Sequence, residues 1–329
     1  MGLDENNRSQ PKGLLIDILL ATFQGGAFLS EQLDSLFAQT CQDFRIVVRD
    51  DGSTDDTMAI LQKYAAHRPG RIEVLPPDGQ RLGASGSFAR LLGVSQAPYR
   101  MFCDQDDVWM SDKVAVSLTA MHDLERDKGS HTPLLVSTDL KVVNEELQVI
   151  SDSFWGYQRI HPERLKRLSR VLVQNFATGC TVMLNRALAD LALPIPAEAI
   201  MHDWWLALVA SRFGKAQPLA RATVLYRQHG RNDVGARRWR FQAGVKNFFF
   251  HREGRQAAIA EQEKVYLKLE EQALAFARRF GTRLSPEERA TIGALAEFRG
   301  RRFFGRRYLM LRHCLLQSDR WQVFMGLVH

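Results

Sequence analysis

The fold is decided by the stretch Arg45-Ile46-Val47-Val48-Arg49-Asp50-Asp51-Gly52-Ser53-Thr54. Its first five residues have the β-branched, apolar pattern of a buried strand, and two acids and a glycine follow it directly. Thr54 is predicted to cap a helix over residues 55–66, whose first turn would carry Asp55 and Asp56. A strand that leads through an acidic turn into a helix is typical of an α/β protein.

The same alternation continues on both sides of this stretch. Residues 14–21 form a nearly continuous apolar run, as expected for a strand that is buried on both faces. Residues 28–37 then show helical spacing, and residues 100–103 form a strand that runs straight into Asp104. We therefore expect an α/β fold with a mostly parallel sheet flanked by helices and a C-terminal α-helical extension.

Composition divides the chain into three parts. Residues 1–12 are polar and are predicted to be disordered, residues 13–235 contain the α/β pattern, and residues 236–329 form a basic helical region. Ser285-Pro286-Glu287-Glu288 reads as a capping box with proline at the first helical position. Later elements of the α/β part are a predicted helix over 164–174, a helix over 204–213 and a last strand over 222–226.

The positive charge of the chain lies in its last third. Residues 231–329 carry 20 Lys and Arg against 10 Asp and Glu, whereas residues 1–230 carry 24 against 27. Within residues 298–316, six arginines alternate with Phe and Leu, a composition that suits an anionic membrane surface. A solvated helical face and a contact with another subunit, including a homo-oligomer, are the open alternatives.

The cysteines and the apolar segments indicate a cellular compartment. Cys41, Cys103, Cys180 and Cys314 are widely spaced, which favours reduced thiols over a disulfide framework or a zinc site. No apolar signal segment opens the chain, and no run reaches the roughly 20 apolar residues of a membrane span. We expect a cytoplasmic protein, or one that lies on the inner face of the cell membrane.

Three carboxylates follow the strand at 100–103 within four residues: Asp104, Asp106 and Asp107. Acids this close repel one another unless a cation neutralises them, and Mg²⁺ and Mn²⁺ prefer oxygen ligands. The plain alternative is an acidic helix N-terminus. The position at a strand end favours a ligand site, because ligands of open α/β sheets bind at the carboxyl ends of strands.

Three further motifs could carry chemistry. Asp50 and Asp51 could accept hydrogen bonds from a base or a ribose, although the same residues also suit a turn and a capped helix. Asp203, at the start of an apolar helix, could act as a general base, or it could simply cap that helix. In residues 226–232, His229 could ligate a metal and Arg227 could neutralise a diphosphate.

Taken together in chain order, these motifs resemble the family-2 glycosyltransferases, which have a GT-A fold. The matching stretches are Ala21–Gly26, Asp50–Asp55, Gly83–Phe88, Asp104–Asp107, Thr178–Cys180 and His202–Trp205. The Asp-Gln-Asp-Asp-x-Trp and His-Asp-Trp-Trp forms look most like the bacterial rhamnosyltransferase-type branch. The resemblance makes residues 13–235 the nucleotide-sugar-binding and catalytic domain, and it does not extend over residues 236–329.

The resemblance also implies roles for individual residues. Asp203 would be the catalytic base of an inverting transfer. Mg²⁺ or Mn²⁺ would be held by Asp104, Asp106 and His229. The donor would be bound by Ala21, Thr22, Asp50, Asp51, Gly83, Ser87, Asp104, Gln105 and Arg227. The acceptor would contact Trp109, Trp204, Trp205 and His202.

The substrates implied by this branch are a nucleoside diphosphate sugar, with dTDP-rhamnose as the best guess, and a glycan or lipid-linked acceptor of cell-surface polysaccharide. Two positions depart from the family pattern: Phe23-Gln24 replaces Tyr-Asn, and His202 replaces an acid before the base. The competing hypotheses are a nucleotidyltransferase and a nucleic-acid-binding protein that uses the basic tail. The first would need a basic glycine-rich loop, which Gln24-Gly25-Gly26 does not supply. The second leaves the acids at 104–107 unexplained, so no nucleic acid partner is expected.

Overall fold

The computed structural model describes residues 14–165, 167–230 and 252–297, with side chains from residue 263 onward in the last range. The predicted disordered residues 1–12 and the basic segment 298–316 lie outside these residues. The strands are β1 Ile16–Thr22, β2 Phe44–Asp50, β3 Ile72–Val74, β4 Tyr99–Cys103, β5 Val108–Trp109, β6 Leu134–Val143, β7 Val149–Ser151, β8 Val182–Asn185 and β9 Lys215–Arg227.

The helices of the described residues are named in the same way, in chain order. They are α1 Leu29–Phe37, α2 Thr57–His67, α3 Gly83–Val94, α4 Lys113–Lys128, α5 Phe154–Gln158, α6 Leu168–Val171, α7 Arg186–Ala192, α8 His202–Phe213, α9 Arg252–Phe280 and α10 Pro286–Ala296. Most of them cover the faces of a single sheet, as the α/β pattern predicts.

All nine strands belong to one sheet with the order β3-β2-β1-β4-β8-β6-β9-β5, and β7 pairs with β6 at its side. The first four of these strands are parallel. Beyond β4 the sheet becomes mixed, because β8 runs antiparallel to both of its neighbours and β5 runs antiparallel to β9. The expected α/β fold is confirmed: β1 to β4 form a parallel part within the first 103 residues, and β6 and β9 form a second parallel pair in the mixed part.

Three predicted elements have wrong bounds, namely two helices and the last strand, which was expected at 222–226 and is β9, beginning at Lys215. The helix expected at 55–66 begins at Thr57, and its N-cap, Asp56, makes no side-chain capping bond. The Thr54 hydroxyl does not cap this helix but accepts a hydrogen bond from the Gln24 side chain in the loop after β1. The helix expected at 164–174 is reduced to α6, which has four residues. The capping box at Ser285 and Glu288 is confirmed.

The C-terminal helices share a core with the sheet domain. Trp205 on α8 is fully buried, and its ring centroid lies 5.6 Å from that of Phe276 and 6.2 Å from that of Phe280, both on α9. Leu284, Ile292 and Leu295 extend the same apolar cluster. The helical extension is therefore packed against α8, the helix whose first turn carries the predicted catalytic residue Asp203.

Three of the four cysteines lie among the described residues, and Cys314 lies outside them. Cys41, Cys103 and Cys180 are free, and the last two are buried. Among the described residues, no helix is both long and apolar enough to cross a membrane.

Candidate active site

The polar residues at the ends of β1 and β2 form one hydrogen-bonded group. Thr22 lies opposite Asp50 in the parallel ladder, and its hydroxyl donates to Asp50 Oδ1 over 2.8 Å. The Ser53 hydroxyl donates to the same oxygen, while the amides of Gly52 and Ser53 donate to Asp50 Oδ2. Asp50 thus shapes the turn after β2, and Ala21 and Thr22 end β1 beside it.

Asp51 is held by a buried arginine that the sequence did not single out. Arg49 Nη1 lies 2.5 Å from Asp51 Oδ1 and also donates to the Ser87 hydroxyl over 2.8 Å. The amides of Leu82 and Gly83 donate to the two carboxylate oxygens. Burial opposes ionisation of Asp51, but the Arg49 guanidinium and the two amides outweigh it and lower the pKa.

The predicted donor contact at Ser87 needs correction, whereas the contact at the exposed Gly83 stays a prediction. Ser87 is only 1% exposed, and its hydroxyl is engaged by Arg49, so it supports the site from behind and does not contact a ligand. Gly83 offers its amide to Asp51, and its φ of +66° is a conformation that glycine adopts at little cost. Arg49 itself could have been noticed, because a charged residue inside an apolar strand needs a buried partner.

Gln24 connects the loop after β1 to the loop after β2. Its side-chain oxygen accepts from the amides of Thr54 and Asp55, and its nitrogen donates to the Thr54 hydroxyl over 3.0 Å. The φ of Gln24 is +51°, which is unusual for a residue with a side chain. Gln24 therefore holds the two loops together through its side-chain amide.

Gln105 holds the other side of the same loop. Its amide accepts from the Phe23 nitrogen over 2.8 Å and donates to the Phe23 oxygen over 2.9 Å. A Cβ atom at Gly25 would lie 2.3 Å from Gln105 Oε1, so a larger residue there would displace the Gln105 amide from Phe23. Gln105 positions the loop from which a donor would be bound, and its amide is already used there.

The acids after β4 divide into an edge pair and a buried group. His229 lies on the segment that follows β9, and its Nε2 atom is 2.7 Å from Asp106 Oδ2. The two residues are far apart in sequence, and both were predicted as metal ligands. A carboxylate and an imidazole that converge at a strand end fit a divalent cation, and the imidazole suits Mn²⁺ better than Mg²⁺.

Asp104, Asp107 and Cys180 form a second group of potential metal ligands, of which the last two are buried and which does not include Asp106 or His229. Ligand atoms of Asp104, Asp107 and Cys180 all lie within 4.8 Å of one another. Asp107 is fully buried, and its pKa is raised by burial and by the neighbouring carboxylates. The buried Lys113 ammonium lies 4.5 Å from the Trp109 ring centroid, and burial lowers the pKa of Lys113 to about 8. Strand β4 thus delivers both surface and interior acids to one place.

Arg227 holds this region together rather than facing a ligand. It is 2% exposed, its Nε donates to the Asp106 backbone oxygen over 2.9 Å, and its backbone amide donates to Asp107. The guanidinium also contacts Glu31 and the Glu145 carbonyl, and it lies over the Phe28 ring. The prediction that Arg227 contacts the donor is corrected, because every face of this buried group is taken by the protein.

Asp203 lies in the first turn of α8 and is 7% exposed. Burial raises its pKa to about 7, although the amides of Trp204 and Gly179 and the side chain of Asn175 bond to the carboxylate. Asn175 Nδ2 lies 3.2 Å from Asp203 Oδ1. A carboxyl group with a pKa near neutrality suits proton transfer at physiological pH. Sequence reasoning missed Asn175, which belongs to no motif.

Most of the aromatic residues proposed for the acceptor are structural. Trp205 is 0% exposed and donates its indole N–H to the Ala192 oxygen, and Trp109 is 3% exposed under Lys113, so neither can stack on a sugar. His202 is 1% exposed between Phe88 and Phe102, and burial lowers its pKa to about 3. These three predictions are wrong because the rings face the core; Trp204, which is partly buried, stays a prediction.

Gly179 and Cys180 bring the base candidate and the acids together. The Gly179 amide bonds to Asp203, and a Cβ atom at Gly179 would lie 3.5 Å from Asp203 Oδ2. The next residue, Cys180, belongs to the group with Asp104 and Asp107. The buried carboxyl group of Asp203, whose pKa is about 7, and the acids Asp104 and Asp107 are therefore linked through the adjacent residues Gly179 and Cys180.

This fold and this arrangement of strand-end acids define a glycosyltransferase of the GT-A type. The family model described as glycosyl transferase family 2 matches residues 17–190, more than half of the chain. The chain belongs to that family, and the nucleotidyltransferase and nucleic-acid-binding hypotheses are set aside.

Similar proteins with described activities are bacterial glycosyltransferases. The dTDP-rhamnosyl transferase RfbG of Shigella flexneri is 26% identical over 230 residues, which are 66% of this chain and 74% of that protein. The UDP-Glc:alpha-D-GlcNAc-diphosphoundecaprenol beta-1,3-glucosyltransferase WfaP of Escherichia coli is 28% identical over 114 residues, which are 35% of this chain and 43% of that protein.

Solved structures support the same fold. S. aureus TarS (residues 1–349) in complex with UDP has a TM-score of 0.52 and 16% identity, with 91% of each chain covered. The mannosyltransferase PcManGT from Pyrobaculum calidifontis, in complex with GDP-Man and Mn²⁺, has a TM-score of 0.51 and 14% identity, with 95% of this chain and 85% of that chain covered.

Proposed function

We propose that the protein is a metal-dependent inverting glycosyltransferase that moves a sugar, with rhamnose from dTDP-rhamnose as the best guess, to a glycan or lipid-linked acceptor in cell-surface polysaccharide synthesis. The observation that carries this proposal is the junction at Gly179 and Cys180, where a buried carboxyl group of neutral pKa adjoins the strand-end acids. Base and leaving-group machinery would then lie on either side of one anomeric carbon.

In this mechanism Asp203 is the general base. Its ionised carboxylate takes the proton from an acceptor hydroxyl as that oxygen bonds to the anomeric carbon of the donor. The bond from the anomeric carbon to the diphosphate oxygen breaks on the opposite face, and its electron pair leaves with the nucleoside diphosphate. Attack and departure on opposite faces invert the configuration. A pKa of about 7 gives Asp203 both enough ionised form and enough basicity near neutral pH.

Asp106 and His229, with Asp104, are the residues that would hold a divalent cation. The distance of 2.7 Å between Asp106 Oδ2 and His229 Nε2 supports this assignment. The structure of PcManGT contains Mn²⁺. When bound, such a cation would offset the negative charge of the diphosphate leaving group. Arg227 and Gln105 keep the acids and the β1 loop in place around it.

The donor is proposed to lie along the ends of β1 and β2, next to Thr22, Asp50 and Asp51. The exposed ring of Phe23 and the Arg81 guanidinium, 4.5 Å from its centroid, border the same edge. Similarity to RfbG supports dTDP-rhamnose, and the name of WfaP describes a lipid-diphosphate-linked acceptor. The basic segment 298–316 would bring the enzyme to the inner face of the membrane, where such an acceptor lies.

The proposal is tested by incubating the enzyme with Mn²⁺, acceptor lipid extract and dTDP-rhamnose, UDP-glucose or GDP-mannose, and measuring nucleoside diphosphate release and product anomeric configuration. We expect one donor to be used with inversion, and Asp203→Asn to reduce kcat by at least about 100-fold. Asp190→Asn, a substitution of an exposed aspartate, is the matched control and should keep full activity. Full activity of Asp203→Asn, or retention of configuration, would overturn the mechanism.

A further inference from the structure

Asn175 lies in the loop between α6 and β8. Among the described residues, it is the only one whose side chain donates a hydrogen bond to the Asp203 carboxylate. Its Nδ2 lies 3.2 Å from Asp203 Oδ1. The same nitrogen donates to the Ala177 oxygen over 2.9 Å, and its Oδ1 accepts from the Ala177 amide over 3.0 Å. The asparagine is therefore bonded at both ends of its amide.

These bonds fix which atom of the amide faces the carboxylate. A flipped amide would set its NH₂ group against the Ala177 N–H, and its oxygen against the Ala177 carbonyl and the Asp203 carboxylate. Donor would then face donor, and acceptor would face acceptor, so no hydrogen bond could form. Asn175 can consequently present only a donor to Asp203. A donor stabilises the ionised form of a carboxyl group and opposes the effect of burial.

We propose that Asn175 is a positioning residue that orients the Asp203 carboxylate and keeps it ionised at the pH of catalysis. The inference rests on the proposed function, in which Asp203 is the base. Without the Asn175 donor, Asp203 would keep the amides of Gly179 and Trp204, but one oxygen would lose its side-chain partner. The base would be harder to ionise and free to turn away from the acceptor hydroxyl.

The other groups around Asp203 do not provide this control. His202 precedes it on α8 and has a pKa lowered to about 3 by burial, so it is neutral through the assay range. The amides of Gly179 and Trp204 do not titrate. The helices that pack against α8 carry the charged residues Arg90 on α3, Arg170 on α6, and Arg186 and Asp190 on α7.

The test compares the pH dependence of kcat/KM for the wild type, Asn175→Ala and Asn175→Asp, from about pH 5 to 9 at saturating Mn²⁺. The wild-type rate should rise with pH through a limb near 7, because the base must be ionised. In Asn175→Ala the limb should move upward by about one pH unit, and the rate should largely recover at high pH. Asn175→Asp places a second carboxyl group there, so its limb should move further.

Two controls separate this role from a structural one. Thermal melting and nucleoside diphosphate affinity report whether the variants fold and bind. Asn144→Ala removes an asparagine that bonds to Gln148 in a turn away from Asp203, and it should leave the limb unchanged. If Asn175→Ala lowers activity equally at every pH, the residue is structural and the inference is wrong. If Asp203→Asn keeps activity, the proposed base assignment fails instead.

Discussion

At the scale of single residues, the strand-end carboxylates differ because their partners differ. Asp50 is satisfied by the Thr22 hydroxyl at the end of β1 and by groups of its own turn, and Asp51 is paired with the buried Arg49. Asp203 is buried with amide donors and Asn175, and burial dominates, so its pKa rises to about 7. The same residue type therefore serves as a turn former, an ion-pair partner and a candidate base.

The raised pKa of Asp203 predicts a cost in stability. The folded value of about 7 exceeds the ordinary value of 3.8, so the folded state binds the proton more tightly than the unfolded state. Stability from this group is present below about pH 4 and is lost as the pH rises toward 7. Asp203→Asn does not titrate, so its melting temperature relative to wild type should be higher at pH 8 than at pH 5.

Thermal melts of both proteins at the two pH values check this expectation. Asp190→Asn, at an exposed position, should show no such difference between pH values. A stability difference that is the same at pH 5 and pH 8 would contradict a raised pKa for Asp203.

Residue roles were only partly predictable from the sequence. Motif order predicted that Thr22, Asp50, Asp106, His229 and Asp203 belong to the site, and the structure places Thr22 against Asp50 and His229 against Asp106, while their roles stay predictions. It failed for Trp109, Trp205 and His202, since an aromatic residue beside a polar motif can face either the ligand or the core. Only packing decides between these two orientations.

At the scale of elements, the loops after β1 and β2 are ordered by each other. Gln24 bonds to Thr54 and Asp55, the Gly25 amide donates to the Thr57 hydroxyl, and the Gly26 amide donates to Asp55. Neither loop shows this pairing in its own sequence, because the bonded residues are about 30 positions apart. The helix begins at Thr57, two residues later than the predicted start at residue 55.

Removing the Gln24 side chain should loosen the donor edge. We expect Gln24→Ala to raise the KM for the donor about fivefold and to change kcat little, because roughly one net hydrogen bond of preorganisation is lost. Gln42→Ala, whose side chain bonds to the carbonyls of Phe37 and Gln39 at the far end of α1, is the control. Steady-state kinetics with varied donor measure the effect. An unchanged KM would show that the loops are ordered without Gln24.

The contact between α8 and α9 should contribute strongly to folding. Phe276 is fully buried against Trp205, so Phe276→Ala should lower the free energy of unfolding by about 3–5 kcal/mol. Leu274, on the same helix but 36% exposed, should cost less than about 1 kcal/mol when changed to alanine. Urea denaturation measures both. Equal effects, or a separate transition for the C-terminal helices, would contradict a shared core.

At the scale of the whole molecule, the sheet separates a predictable half from a less predictable one. The parallel strands β1 to β4 follow from apolar runs and helical spacing. For the mixed part, the sequence predicts single strands but not how they pair. Strand β8 runs antiparallel between β4 and β6, and β9 pairs with β6 through an irregular register. Long-range pairings of this kind leave no local pattern in the sequence.

The uneven charge of the chain leads to a prediction about membranes. Changing Arg299, Arg301, Arg302, Arg306, Arg307 and Arg312 to glutamine should abolish sedimentation with phosphatidylglycerol vesicles, since each basic residue near such a surface contributes about 1 kcal/mol. Binding of the wild type should weaken with salt and be absent on phosphatidylcholine alone. Nucleoside diphosphate binding should not change. Equal vesicle binding by the substituted protein would exclude the tail as a membrane contact.

We propose that Asp106 and His229 hold a cation, and that this cation allows a nucleoside diphosphate to bind at the ends of β1, β2 and β4. The most direct test is the melting temperature of the protein with dTDP, UDP or GDP, with and without Mn²⁺, since a ligand of the native state raises stability by mass action. We predict stabilisation by one nucleotide only when Mn²⁺ is present, with loss of the effect in Asp106→Ala and retention in Asp123→Ala, at an exposed position. No stabilisation by any nucleotide, or an undiminished effect in Asp106→Ala, would contradict the account.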